Sequence, residues 1–153
     1  MTDVQPAAQP FRRLNQRELE FGGVRFDVYF NGAIGATMRL SAPVNGEWKE
    51  LLRFDDFVDA PHYHAPADDH QTNYDRKNGD PLEWYIAQIR DDLPAWLTKA
   101  GYGDVVASID TEAVRAHIGE LRDAMYDVLP EGFTRVPGVG LQRIESPAAA
   151  SGN

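Results

Sequence analysis

The chain has 153 residues and no cysteine. Disulfides, thiol nucleophiles, thiolate-bound zinc and iron–sulfur clusters are therefore excluded. Positive charge is also scarce: 15 Lys and Arg stand against 24 Asp and Glu, a formal charge of −9. Nucleic acid and anionic membrane surfaces are poor partners for such a chain, because both recruit cations. No run approaches the roughly 18–20 apolar residues of a membrane-spanning helix. The first residues, MTDVQPAAQP, carry neither a cationic head nor an apolar stretch, so they do not read as a secretion signal. These absences together predict a cytoplasmic location. No nucleophile-elbow serine and no GxxxxGK phosphate loop occurs, and Gly138-Val139-Gly140 is too short for a dinucleotide fingerprint.

Hydrophobic residues make up 42% of the chain, enough for a core. A single domain of this length buries about 68–70% of its unfolded surface. The ends, 1–10 and 145–153, are rich in Pro, Ala and Ser and read as flexible tails around one domain over 11–144.

Within that domain, residues 18–54 alternate apolar and polar with period two, the pattern of half-buried strands. Gly22-Gly23, Asn31-Gly32 and Asn45-Gly46 separate the runs and supply the positive φ of hairpin turns. Phe21 can pair with Val24 across two glycines. Phe30 and Ile34 need an odd loop, so a three-residue turn over Asn31, Gly32 and Ala33 is expected; an even loop would split the apolar face. A four-stranded antiparallel meander with one apolar face follows.

Two helices are available to cover that face. Asp80-Pro81-Leu82-Glu83 is a start signal: Asp80 caps, Pro81 fits the first helical position, and Glu83 can reach back to the cap. Leu82, Ile86, Ile89, Leu93 and Leu97 follow at helical spacing, Pro94 predicts a kink near Asp91-Asp92, and Gly101 ends the segment. A second helix is expected from about Asp110 to Pro130, with Val114, Ile118, Leu121, Met125 and Val128 as its stripe. The fold class is α+β: a four-stranded meander over 18–54, with one face covered by two C-terminal helices over 81–130. Residues 131–144 read as a late strand or a strap. Trp84, Tyr85 and Trp96 read as packing residues, His117 as a helix-edge residue with a hydrogen-bond partner, and Tyr29, Arg25 and Arg39 as cross-strand partners on the polar face.

Residues 55–80 form the long connection between sheet and helices. They hold seven aspartates, no glutamate, Arg76 and Lys77 in return, and three of the four histidines. Connections this long without secondary structure are uncommon and often functional. Pro61 and Pro66 favour extended backbone before them, so His62 and His64 are expected on one side of an extended stretch. Two imidazoles so placed can ligate one divalent cation such as zinc, iron, manganese or nickel, with His70 or one of Asp56, Asp59, Asp68 and Asp69 completing the set. His62, His64, His70, Asp59 and Asp69 are the metal-ligand candidates. Asp56, Tyr63 and Tyr74 are candidates for a ligand or partner surface.

The same residues also suit a solvated loop, since Asp is favoured in turns, or a His–Asp proton shuttle. Two functions stay open. One is a non-catalytic binding or accessory module whose acidic, histidine-bearing loop meets a partner protein, a cation or a small ligand. The other is a small metal-dependent enzyme using His62, His64 and His70. An open sheet edge also allows a homodimer.

Overall fold

The computed structural model describes residues 12–69 and 71–144. The expected tails, 1–10 and 145–153, and His70 lie outside the described residues. The expected meander forms with β1 (Arg13–Phe21), β2 (Val24–Asn31), β3 (Gly35–Val44) and β4 (Glu47–Phe57). All neighbouring pairs are antiparallel.

The turns follow the expected parity. Phe21 pairs with Val24 across Gly22-Gly23. The β2–β3 loop has three residues but is displaced by one: Asn31 pairs with Gly35, so Gly32, Ala33 and Ile34 make the turn. An odd loop keeps side chains of like parity together, so Phe30, Val28 and Phe26 face Ala36, Met38 and Leu40 on the core side. A close approach places Gly35, since a Cβ there would lie 2.5 Å from the Asp56 carbonyl oxygen. Gly22 is similarly fixed, with φ +64° and a Cβ position 2.7 Å from the Asp110 carbonyl oxygen. Gly22→Ala is expected to cost about 1–3 kcal/mol, from left-handed strain plus that contact. The urea midpoint measures it, and an unchanged midpoint contradicts it.

The sheet has six strands rather than four. Residues 55–80 are not one long irregular connection: 55–57 continue β4, and β5 (His62–His64) and β6 (Gln71–Asn73) extend the sheet in the order β1-β2-β3-β4-β5-β6. Both additions are three residues long, too short to show a period in sequence. A single 3-10 turn, Arg76–Asn78, leads to the helices.

Helix α1 (Pro81–Lys99) begins as expected: Asp80 accepts from the Leu82 N–H at 3.0 Å. Glu83 does not return to the cap; it binds Arg122 at 2.7 Å on a neighbouring helix. The kink falls at Asp92, whose φ of −131° leaves the helical region two residues before Pro94. The second helix divides at His117 into α2 (Thr111–Ala116) and α3 (Ile118–Asp127). His117 stacks on Phe21 and pairs with Glu120, a helix-edge role. Residues 133–143 form a separate hairpin of β7 (Phe133–Val136) and β8 (Gly140–Arg143).

The helices cover one face of the sheet, and Phe26, Phe30, Leu40, Phe54, Tyr85 and Ile86 are fully buried between the layers. Trp84, Tyr85 and Trp96 join Phe54 and Tyr63 in one aromatic cluster. Among the described residues no helix is long and apolar enough to cross a membrane.

Candidate functional site

The face turned away from the helices is polar, and the register arranges it in rows. One row crosses β2 to β6 as Tyr29, Thr37, Asp55, His62 and Asn73. The next row is Asp27, Arg39, Arg53, His64 and Gln71. Alternation along each strand places these side chains on one side. Tyr63, between the two histidines, points to the opposite side and packs on Phe54 and Trp96.

Asp55, His62 and His64 converge where β4 meets β5. Their ligand atoms lie within 4.8 Å of one another. The Nε2 of His62 is 3.0 Å from Asp55 Oδ2, and that of His64 is 3.5 Å from the same oxygen. The other ring nitrogens are occupied: His62 Nδ1 faces the Ala60 carbonyl at 2.8 Å, and His64 Nδ1 faces the Asp69 carbonyl at 3.1 Å. A carbonyl only accepts, so each Nδ1 carries a proton and donates. In the neutral tautomer both Nε2 lone pairs then aim at one carboxylate oxygen. Three acceptors cannot rest together, so a proton or a cation belongs between them.

The carboxylate is held from behind. Thr37 Oγ1 donates to Asp55 Oδ1 at 2.5 Å, and Asn31 Nδ2 donates to Thr37 Oγ1 at 2.8 Å. That relay leaves Oδ2 for the histidines. From the core side, the Tyr85 hydroxyl lies 3.2 Å from the backbone carbonyls of both Asp55 and His62, pinning β4 to β5 beneath the site. Asp55 and His62 are buried and His64 is half-buried. Burial by itself lowers the His62 pKa, but the Asp55 hydrogen bond, the Ala60 carbonyl and the Asp55 charge outweigh it and raise it above the ordinary histidine value.

Two of the three donor separations match those of a metal site. Bonds of about 2.0–2.1 Å in tetrahedral geometry set donor atoms about 3.3 Å apart, and the two contacts here, 3.0 and 3.5 Å, bracket that spacing. Imidazoles whose second nitrogen donates to a backbone carbonyl are typical metal ligands, since that bond fixes the ring and the tautomer.

Residues 11–125 match a family described as Domain of unknown function (DUF7700). The chain belongs to that family. No curated protein matches the chain, and no solved structure does. The matched segment contains Asn31, Thr37, Asp55, His62 and His64, and it ends before the β7–β8 hairpin.

Of the residues expected from sequence to ligate metal, His62 and His64 meet as expected. Asp69 contributes its backbone carbonyl to orient His64. Asp59 is exposed and pairs with Arg143 at 3.2 Å. His70 lies outside the described residues. Asp68 is exposed. The carboxylate that joins the histidines is Asp55, which a strand ending at Phe54 leaves out of the expected set. The signal was available: a strand through 53–57 facing an extended 62–64 sets Asp55 opposite His62.

The expected surface of Asp56, Tyr63 and Tyr74 does not form. Asp56 is 1% exposed and faces the opposite side of β4 from Asp55, bound to Arg135. Tyr63 belongs to the aromatic cluster. Tyr74 is buried, donates to the Gly79 carbonyl at 2.8 Å, and has its pKa pushed up to about 12, chiefly by burial.

Proposed function

We propose that the protein is a small binding module whose ligand is a divalent transition-metal cation held by Asp55 Oδ2, His62 Nε2 and His64 Nε2. The observation that carries this reading is the convergence of two carbonyl-anchored imidazoles on one buried carboxylate oxygen. Imidazole with carboxylate favours zinc, iron, nickel or manganese over calcium or magnesium. Three protein donors leave at least one position for a further ligand, which is also the starting point for a metal-dependent enzyme.

The test is a thermal melt with and without added metal. A cation at about 100 times its Kd stabilises by about 2.7 kcal/mol, or about 5–10 °C in Tm for a domain of this size. Zinc or cobalt should raise Tm by that amount and EDTA should reverse it. No shift with zinc, cobalt, nickel or manganese removes the reading.

The relay behind Asp55 gives a separate prediction. Thr37→Val keeps the side-chain shape and deletes the hydroxyl that holds Oδ1. Metal affinity is expected to fall about 10–100-fold, the usual effect of losing an outer hydrogen bond to a ligand. Calorimetric titration of zinc measures it, and an unchanged affinity shows that Thr37 does not orient the carboxylate.

A further inference from the structure

The loop that carries the carbonyl behind His62 is itself held by a distant part of the chain. That loop joins β4 to β5, and its Ala60 carbonyl fixes the His62 ring. The Val58 N–H donates to the Ile34 carbonyl, and the Tyr74 N–H donates to the Pro61 carbonyl, each at 2.9 Å. Between those ties the loop is gripped by the β7–β8 hairpin. Arg143 Nη1 reaches both Asp59 carboxylate oxygens, at 3.2 and 3.4 Å, and its Nη2 donates to the Ala33 carbonyl at 3.0 Å. One guanidinium therefore links the β2–β3 turn to the β4–β5 loop. Arg135 of the same hairpin binds Asp56, the residue after the Asp55 ligand. The hairpin thus holds the chain directly after Asp55 and again directly before Ala60.

The hairpin has two strands of 4 residues each and forms a sheet of its own. A lone two-stranded ribbon is marginal in water, so its ladder persists only while it is docked. Docking buries Leu141 and sets Phe133 on Phe30, with ring centroids 4.7 Å apart. The docked and undocked states differ in whether the segment from Asp56 to Ala60 is clamped. A metal site needs its donors held within about 0.5 Å of the productive geometry. A cation therefore binds the clamped state more tightly, and by linkage it favours docking by the same factor.

We propose that the β7–β8 hairpin is a clasp on the metal site, so that metal occupancy and hairpin docking reinforce one another. This rests on the metal reading above and gives that site its regulation: drawing the hairpin off the sheet loosens the cation. The site lies inside the segment that matches the family, and its clasp lies beyond it.

Arg143→Gln in the full chain separates a clasp from a simple charge effect. Arg143 is a cation, so electrostatics alone predicts that removing it strengthens binding of another cation. The clasp predicts the opposite sign. Zinc titrated by calorimetry should bind the variant about threefold or more weakly, less than the loss caused by removing a direct partner of a ligand. Hydrogen exchange in the wild type supplies the second measurement and needs no variant. It is read on hairpin ladder amides that exchange faster than those of β2, and so through local opening. Zinc should slow them about fivefold or more. Zinc binding to Arg143→Gln as tightly as to the wild type, or more tightly, overturns the clasp and leaves the metal reading standing. Hairpin amides that exchange at one rate with and without zinc do the same. A wild type that binds no zinc, cobalt, nickel or manganese overturns both.

Discussion

Arg135→Met is expected to lower stability by about 3–5 kcal/mol, the usual loss when one partner of a buried ion pair is removed. Arg135 and Asp56 are each 1% exposed as side chains and bind one another directly. The same guanidinium also donates to the Met125 carbonyl, from Nη2 at 3.0 Å and Nε at 3.3 Å. One side chain therefore joins the end of β4, the last turn of α3 and the β7–β8 hairpin. Without it, Asp56 keeps a buried carboxylate that has lost its direct ion pair, and the Met125 carbonyl loses both donors. Burial already pushes the Asp56 carboxyl upward against the pull of Arg135. Its Oδ1 has no hydrogen-bond partner among the described residues, so the pair is incompletely satisfied even when intact.

That imperfection predicts the second half of the experiment. Replacing a buried pair by apolar residues of similar volume is often neutral or stabilising. Arg135→Met with Asp56→Leu should recover most of the loss, and a double-mutant cycle in urea reads the coupling. A single variant that loses less than about 1 kcal/mol would show that the pair is solvated or dispensable. Residues 11–125 match the family, so this pair also joins the matched segment to the hairpin beyond it.

Much of the architecture was legible because it rests on local chemistry. Gly-Gly and Asn-Gly pairs at the turns, the Asp80-Pro81 start and Pro94 act within a few residues, and the hairpins, the cap and the Asp92 kink appear within one residue of where those signals place them. The short outer strands were not legible. Their three-residue lengths carry no periodicity; β5 is held by pairing to β4 and by the Tyr85 hydroxyl, 23 residues beyond His62, and β6 by pairing to β5. The candidate site split along the same line. His62 and His64 follow from i, i+2 geometry, but Asp55 belongs to the set only through cross-strand register. Adjacent Asp55 and Asp56 make the point most sharply. One residue of strand alternation sends the first to the polar face and its histidines, and the second into the core and its arginine. Composition treats them alike, and their chemistry differs because of the pleat alone.

His62→Gln is expected to reduce zinc affinity by more than about 100-fold, beyond what loss of an outer-sphere partner causes, and to change how stability depends on pH. Without metal, the His62 pKa is raised in the folded state. A raised value means that the imidazolium form favours folding. Its contribution is complete below the unfolded pKa of about 6.5 and is lost as pH rises through the folded value. Metal reverses the direction. A cation takes the place of the proton on Nε2, so its affinity grows with pH across the same range, up to about tenfold per unit for one proton displaced. Metal-free wild type should therefore lose stability relative to His62→Gln between about pH 6 and 8, while zinc-loaded wild type should gain. Urea melts at the two ends of that range, with zinc and with EDTA, give the four required values. Parallel pH dependence with zinc and with EDTA would mean that protons and metal do not compete at Nε2, and the ligand assignment of His62 would fall.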